Sequence, residues 1–160
     1  GLMAIYMHFA GIEGNVTAKG YEKWIEINSF QFGSGRGIST PTGRAANREA
    51  SAPSVSEVVV TKVMDKASPL LFEQSLVGMT GKEVKIVITR TGKEMEALCT
   101  YKFEDTLIAS YSVSSGGEAP SESLSLNFVK FEYKYKGSDA AGASAGAMTV
   151  AYDIGAAKTM

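Results

Sequence analysis

The chain is short of the residues that build disulfides, metal centres and proton relays. Among its 160 residues there is one cysteine, Cys99, and one histidine, His8. A lone cysteine excludes an intrachain disulfide, which suits folding in a reducing compartment. A single imidazole excludes a histidine-rich metal site, and one thiol cannot supply a structural zinc centre. Charge of one sign is also lacking, with 16 Lys and Arg against 17 Asp and Glu for a net charge of −1. A general affinity for nucleic acid or an anionic membrane needs a positive field, so neither is expected as a partner. No run approaches the roughly 20 apolar residues of a spanning helix, so no membrane insertion is expected. The first residues lack both a basic stretch and a long apolar core, so no secretory signal is expected either. Gly1 and Leu2 read as an appendage ahead of Met3.

What is present is strand patterning around one helix. Val58, Val59, Val60 and Val63 carry the branched Cβ that favours a pleated surface over a helix. Ser68 then precedes Pro69, the signature of an N-cap followed by proline in the first turn. Leu70, Leu71, Phe72, Leu76 and Val77 follow, and Gly78 is placed to supply a left-handed stop, so a helix is expected over 68–78. Ten residues make a marginal helix, which must be held by packing on a sheet.

Elsewhere the apolar residues alternate. Ile5, Met7 and Phe9 share one face of a first strand, with Tyr6 and His8 on the other. Ile25 and Ile27 share a face, Phe30 and Phe32 the opposite one, which predicts a bend near Asn28 and Ser29. Val84, Ile86 and Ile88 line a further strand. The odd-numbered residues from Met95 to Val113 are apolar throughout except at Asp105, which marks a bend or the junction of two strands. Leu124, Leu126 and Phe128 are followed, after a one-residue slip at Val129, by Phe131, Tyr133 and Tyr135, so a bulge is expected there. The expected fold is mainly β, a small antiparallel barrel or sandwich of about eight strands flanked by one α-helix, in a single domain over 1–160. Residues 137–147 read as a flexible linker and TVAYDI as a last strand.

The search for chemistry finds little. His8 reads as a structural or surface histidine, and Cys99 shares the parity of apolar neighbours, as an inert buried thiol does. Gly33, Gly35 and Gly37 lack the spacing and the following helix of a phosphate-binding loop. Glu57, Asp65, Glu104 and Asp105 read as solvated strand ends rather than a catalytic carboxylate pair. No catalytic, cofactor-binding or metal-binding residue is therefore assigned, and no enzyme is expected. The segment 33–53 is different: glycines, small residues and Arg36, Arg44 and Arg48 leave almost nothing to bury. A stretch of that length without regular structure is usually functional or disordered.

Two long segments then carry a family resemblance. REASAPSVSEVVVTKVMDKASPLLFEQSLVG, from Arg48 to Gly78, and YKFEDTLIASYSVSSGGEAPSESLSLNFVKFEYKY, from Tyr101 to Tyr135, resemble the haemolysin-coregulated protein (Hcp) family of bacterial type VI secretion systems. IYMHFAGIEGNVT and WIEINSFQFG agree, so nearly the whole chain is covered. The resemblance implies a β-barrel with one helix and six-membered rings that stack into a hollow tube. It implies synthesis in the bacterial cytoplasm and export through the apparatus without a signal peptide, and a part in virulence. It also implies other secretion components (spike and sheath) as partners, and effector proteins held and stabilised in the ring lumen. No cofactor is implied. The 33–53 loop is the expected interaction segment, with Arg36, Thr40, Arg44, Arg48 and Glu49 at the interface between subunits or rings. The rival reading is a β-sandwich that binds carbohydrate or peptide through exposed Trp24, Tyr6 and Tyr111.

Overall fold

The computed structural model describes residues 3–40, 48–91, 95–136 and 147–160. Its centre is a 20-residue strand. In chain order the strands are β1 (Met3–Phe9), β2 (Ile25–Ile27), β3 (Ser29–Gln31), β4 (Ser34–Gly35), β5 (Ile38–Ser39), β6 (Glu49–Ala50), β7 (Ser54–Val55) and β8 (Val58–Val63). The helix α1 (Ser68–Val77) follows, then β9 (Lys82–Thr91), β10 (Met95–Ser114), β11 (Ser121–Asn127), β12 (Lys130–Tyr135), β13 (Met148–Asp153) and β14 (Lys158–Thr159). All ladders are antiparallel.

β10 serves two sheets because it bends. Its first half pairs with β9 on one edge and β12 on the other, and its second half pairs with β11. The bend is at Asp105, which has φ 56°, and the register with β9 shifts between Phe103 and Thr106. A shift of one residue exchanges faces. Phe103 points into the core, and beyond the bulge Thr106 and Ile108 do so instead, leaving Leu107 exposed. Asp105 is thus a bulge within one strand, not the junction of two.

The neighbouring chain turns the same corner. β11 and β12 lie along a single edge of β10, and they switch faces at Phe128 and Val129, where the Val129 amide donates to the Glu104 carbonyl at 3.1 Å. β2 pairs with β1 and β3 with β8, and the Asn28 amide between them donates to the Thr61 carbonyl at 2.7 Å. Both bends lie where the sequence phase predicts. The ladder path runs β3–β8–β11–β10–β9–β1–β2, and the peptide at Asn28 joins its ends, so no ladder closes the barrel. Met7, Phe9, Ile25, Val58, Val60, Phe103, Leu124 and Leu126 fill the space between the sheets. Each large apolar side chain so buried contributes about 1.5–3 kcal/mol.

Three sequence expectations need correction. β1 buries Tyr6 as well as Met7 and Phe9, because Tyr21 packs over its outer face at 5.1 Å between ring centroids. The described parts of the 33–53 segment, 33–40 and 48–53, do have regular structure. β4 pairs with β7 and β5 with β6, and the hydroxyls of Ser51, Ser54 and Ser56 bond to the backbone at Gly37, Gly35 and Gly33. The result is a narrow two-stranded arm. Finally, Gly78 ends the helix with φ −68°, not in the left-handed region; its amide closes on the Gln74 carbonyl at 3.0 Å. The 137–147 linker, up to residue 146, lies outside the described residues.

The corner leaves no room at Gly81. A Cβ added there would lie 2.7 Å from the Asp105 Cα and closer still to its side chain, whereas at Gly35 it would meet nothing within 4 Å. Gly81→Ala should therefore destabilise the fold by about 1–3 kcal/mol, the usual range for overpacking, and Gly35→Ala by far less. Urea unfolding compares them; equal midpoints for the two variants would show that the corner yields freely.

Candidate functional site

Two charged residues occupy core positions of adjacent strands. Lys62 shares the inward parity of Val58 and Val60 on β8, and Glu122 that of Leu124 and Leu126 on β11. They are direct cross-strand partners. Both side chains are fully enclosed, and Lys62 Nζ lies 2.5 Å from Glu122 Oε1. An isolated charge in such a place would cost several kcal/mol, so the pair survives only with its remaining bonds satisfied.

The turn between β8 and α1 supplies those bonds. With one N–H directed at Glu122, Lys62 Nζ has two left to share among three acceptors: the Val63 carbonyl at 3.0 Å, Asp65 Oδ1 at 3.0 Å and Ser68 Oγ at 3.1 Å. Ser68 donates its proton to Glu122 Oε1 at 2.7 Å and accepts from the Asp65 amide at 3.0 Å. The Tyr111 hydroxyl, from β10, donates to Glu122 Oε2. One knot of side chains thereby ties β8, β10, β11 and α1 together.

Ser68 does not cap the helix. The N-cap position is Ala67, with no side-chain capping bond, because the Ser68 hydroxyl is spent inside the knot. Pro69 keeps the expected place in the first turn. Asp65 is also no solvated strand end, since it accepts from Lys62 and from the Ala67 amide at 3.0 Å.

The electrostatics follow from this packing. Desolvation alone would raise the Glu122 pKa. Hydrogen bonds from Lys62, Tyr111 and Ser68, together with the Lys62 charge, outweigh it and hold the carboxyl below its ordinary value. Burial pushes Tyr111 up to about 12, helped by the Glu122 carboxylate. A fixed ammonium, a fixed carboxylate and a phenol that stays protonated form a structural lock. Among the described residues, no group of three or more His, Cys, Asp and Glu is placed to hold a metal ion.

The remaining predicted residues lie on the surface. Arg36, Thr40, Arg48 and Glu49 are exposed along the arm, with Glu49 opposite Ser39, and Arg44 lies outside the described residues. Arg36, Arg48 and Glu49 make no ion pair with one another. The three aromatics of the sugar-binding reading are not free either. Tyr6 is buried, Tyr111 is bonded to Glu122, and Trp24 is half-buried between His8 and Tyr21 at 5.3 and 5.0 Å.

α1 is unusual in what it turns outward. Only Ser68 and Leu71 of the helix are buried. Leu76 and Val77 are 67% and 66% exposed, and Leu70 and Phe72 are nearly half exposed. Phe72 stacks on Tyr111 at 5.1 Å, and beside them Met64, Pro69 and Val113 line an open groove of about 530 Å³.

If the lock acts as a unit, Lys62→Met and Glu122→Gln should each cost about 3–5 kcal/mol, since each strands a buried partner, and the double variant less than the sum. Additive losses in urea unfolding would dissolve the pair. Because the folded Glu122 pKa is depressed, its contribution is present above the ordinary value of 4.5 and is lost as pH falls through the folded pKa. The acid slope of stability should therefore be shallower in Glu122→Gln; an unchanged slope would contradict this.

With the geometry described, the chain can be set beside known proteins. Curated protein sequences contain no match. Among solved structures, one described as a type six secretion system protein superposes with a TM-score of 0.90 at 23% identity, covering 99% of this chain and 100% of that one. Hcp1 from Salmonella typhimurium does so at 0.80 with 23% identity over 99% of each chain. A type VI secretion system effector from Yersinia pestis reaches 0.71 at 21% identity, over 93% of this chain and 98% of that one. Identities this low speak to the fold, which is shared. The family model described as "Type VI secretion system effector, Hcp" matches residues 6–135. The chain belongs to the Hcp family of type VI secretion system effectors.

Proposed function

We propose that this chain is the repeating unit of a secretion tube. In this reading six copies close into a ring, rings stack into a hollow tube, and the tube leaves the cell through the apparatus. The lumen holds effector proteins, and the spike and sheath are the outer partners. Hcp proteins are secreted structural proteins and not an enzyme class, so the reading assigns no reaction to the chain.

The observation that carries it is the outward face of α1. A lone chain that leaves Leu76, Val77 and the adjoining Met79 largely in water, the last 88% exposed, keeps an apolar surface that a partner would cover. A stable interface typically buries about 1,200–2,000 Å² in total. The arm adds reach: β7 rests on the core through Val55, while β5 and β6 carry Ile38, exposed at 55%, and Arg36 and Arg48 have no ion-pair partner among the described residues. The reading places Arg36, Thr40, Arg48 and Glu49, with Arg44, against the neighbouring ring. Exposed ion pairs contribute only about 0–1 kcal/mol each, so stacking stays weak enough for a tube that must come apart.

Native mass spectrometry should find a six-copy species, and electron microscopy hollow rings that stack at high concentration. Deleting residues 40–46 should leave the rings and abolish the stacks. A wild-type protein that stays single-copy would refute the ring, and stacks in the deletion variant would refute the role of the arm.

A further inference from the structure

A ring of identical copies needs two different faces per copy, one received by the other. The described surface has two separate apolar patches that meet this need, attached to opposite halves of β10. The first is α1 with the second half of β10. There Phe72, Leu76 and Val113 stand in water, and β10 beyond Thr106 has a ladder partner, β11, on one edge only. The second is the C-terminal flap that β12 carries on its outer edge. Met148 is 73% and Val150 48% exposed, and β14 covers the outer edge of β13 only at Tyr152 and Asp153, with one further bond from the Met160 amide to the Ala151 carbonyl.

Resting on the ring reading above, we propose that the β13 edge of one copy docks on the α1–β10 face of the next. Three observations match the faces. Each presents an unpaired stretch of strand edge, and such edges join by backbone hydrogen bonds. The groove of about 530 Å³ between Met64, Pro69, Phe72 and Val113 is apolar and open, and the flap offers unbranched Met148 and compact Val150 to fill it. Each face also offers the other one charge of opposite sign, Lys158 standing across the ladder from Asp153 of β13. The one charge on α1 is Glu73 and the one charge on β14 is Lys158, and neither has an ion-pair partner among the described residues. Because the two faces differ, pairing leaves one of each unused at the ends of any open string, and only closure satisfies all of them.

The test is a mixing experiment with Leu76→Glu, which spoils the receiving face, and Val150→Glu, which spoils the docking face. Both positions are exposed, so thermal unfolding of each variant should match that of dissociated wild-type protein. Native mass spectrometry and sedimentation should find each variant single-copy alone. An equimolar mixture should give a species with one copy of each and nothing larger, since every such pair has one sound interface and two dead ends. Wild-type-like assembly by either variant overturns the pairing while the ring stands. So does a mixture that stays single-copy at every concentration, or a variant that pairs with itself. Single-copy wild-type protein would instead remove the ring reading itself.

Discussion

Two opposite charges inside the barrel, Lys62 on β8 and Glu122 on β11, constrain everything around them. A buried pair is weak evidence for added stability, because desolvation offsets most of the attraction. Its force is in specificity. Sliding β11 by one residue along β8 would turn Glu122 to solvent and leave Lys62 alone in the core, at a cost of several kcal/mol. The pairing of these two strands therefore has one acceptable register. The same atoms hold the turn 63–68, because Asp65 and Ser68 complete the shell around the ammonium. The start of α1 is pinned from within the sheet instead of by a cap.

The bends complete the constraint. Asp105 in β10, Val129 between β11 and β12, and Asn28 between β2 and β3 are three places where chain crosses from one sheet to the other. β10 continues past the bend with β11 on one side, while the side that β9 occupied is left open. α1, held by the charged knot, comes to rest next to that open edge with Phe72 stacked on Tyr111. The apolar groove is thus a consequence of where the lock puts the helix. In the proposed tube this is the surface that joins copies, so a buried polar cluster decides the geometry of assembly.

Much of this was legible in the sequence. The phase slips at Asn28–Ser29 and Val129 are visible because a bend exchanges faces, and Asp105 stands out as the one polar residue in an apolar row. The helix is announced by Ser-Pro and its apolar run. The role of Ser68 was not legible, since Ser before Pro is a capping signal and only the tertiary structure brings Glu122 to claim its hydroxyl. Lys62 and Glu122 did carry a signal: each sits on the inward parity of its strand, where a lone charge is out of place. Reading each strand separately hides their pairing, because it spans 60 residues. The arm was missed as a ribbon because strands of two residues, built on glycine and serine, have no apolar alternation to read. The exposed face of α1 was hidden for the opposite reason: an apolar helix reads as core until its surroundings are known.

In the proposed tube, function follows from placement, with the sheets carrying a helix and a flap whose exposed apolar faces meet a neighbouring copy. The claim beneath it is that the charged knot holds α1 where assembly needs it. Amide hydrogen exchange tests that directly, comparing wild-type protein with Glu122→Gln. The account predicts that α1 loses most of its protection in the variant while β1 and β9 keep theirs. Equal protection of α1 in the two proteins would contradict it.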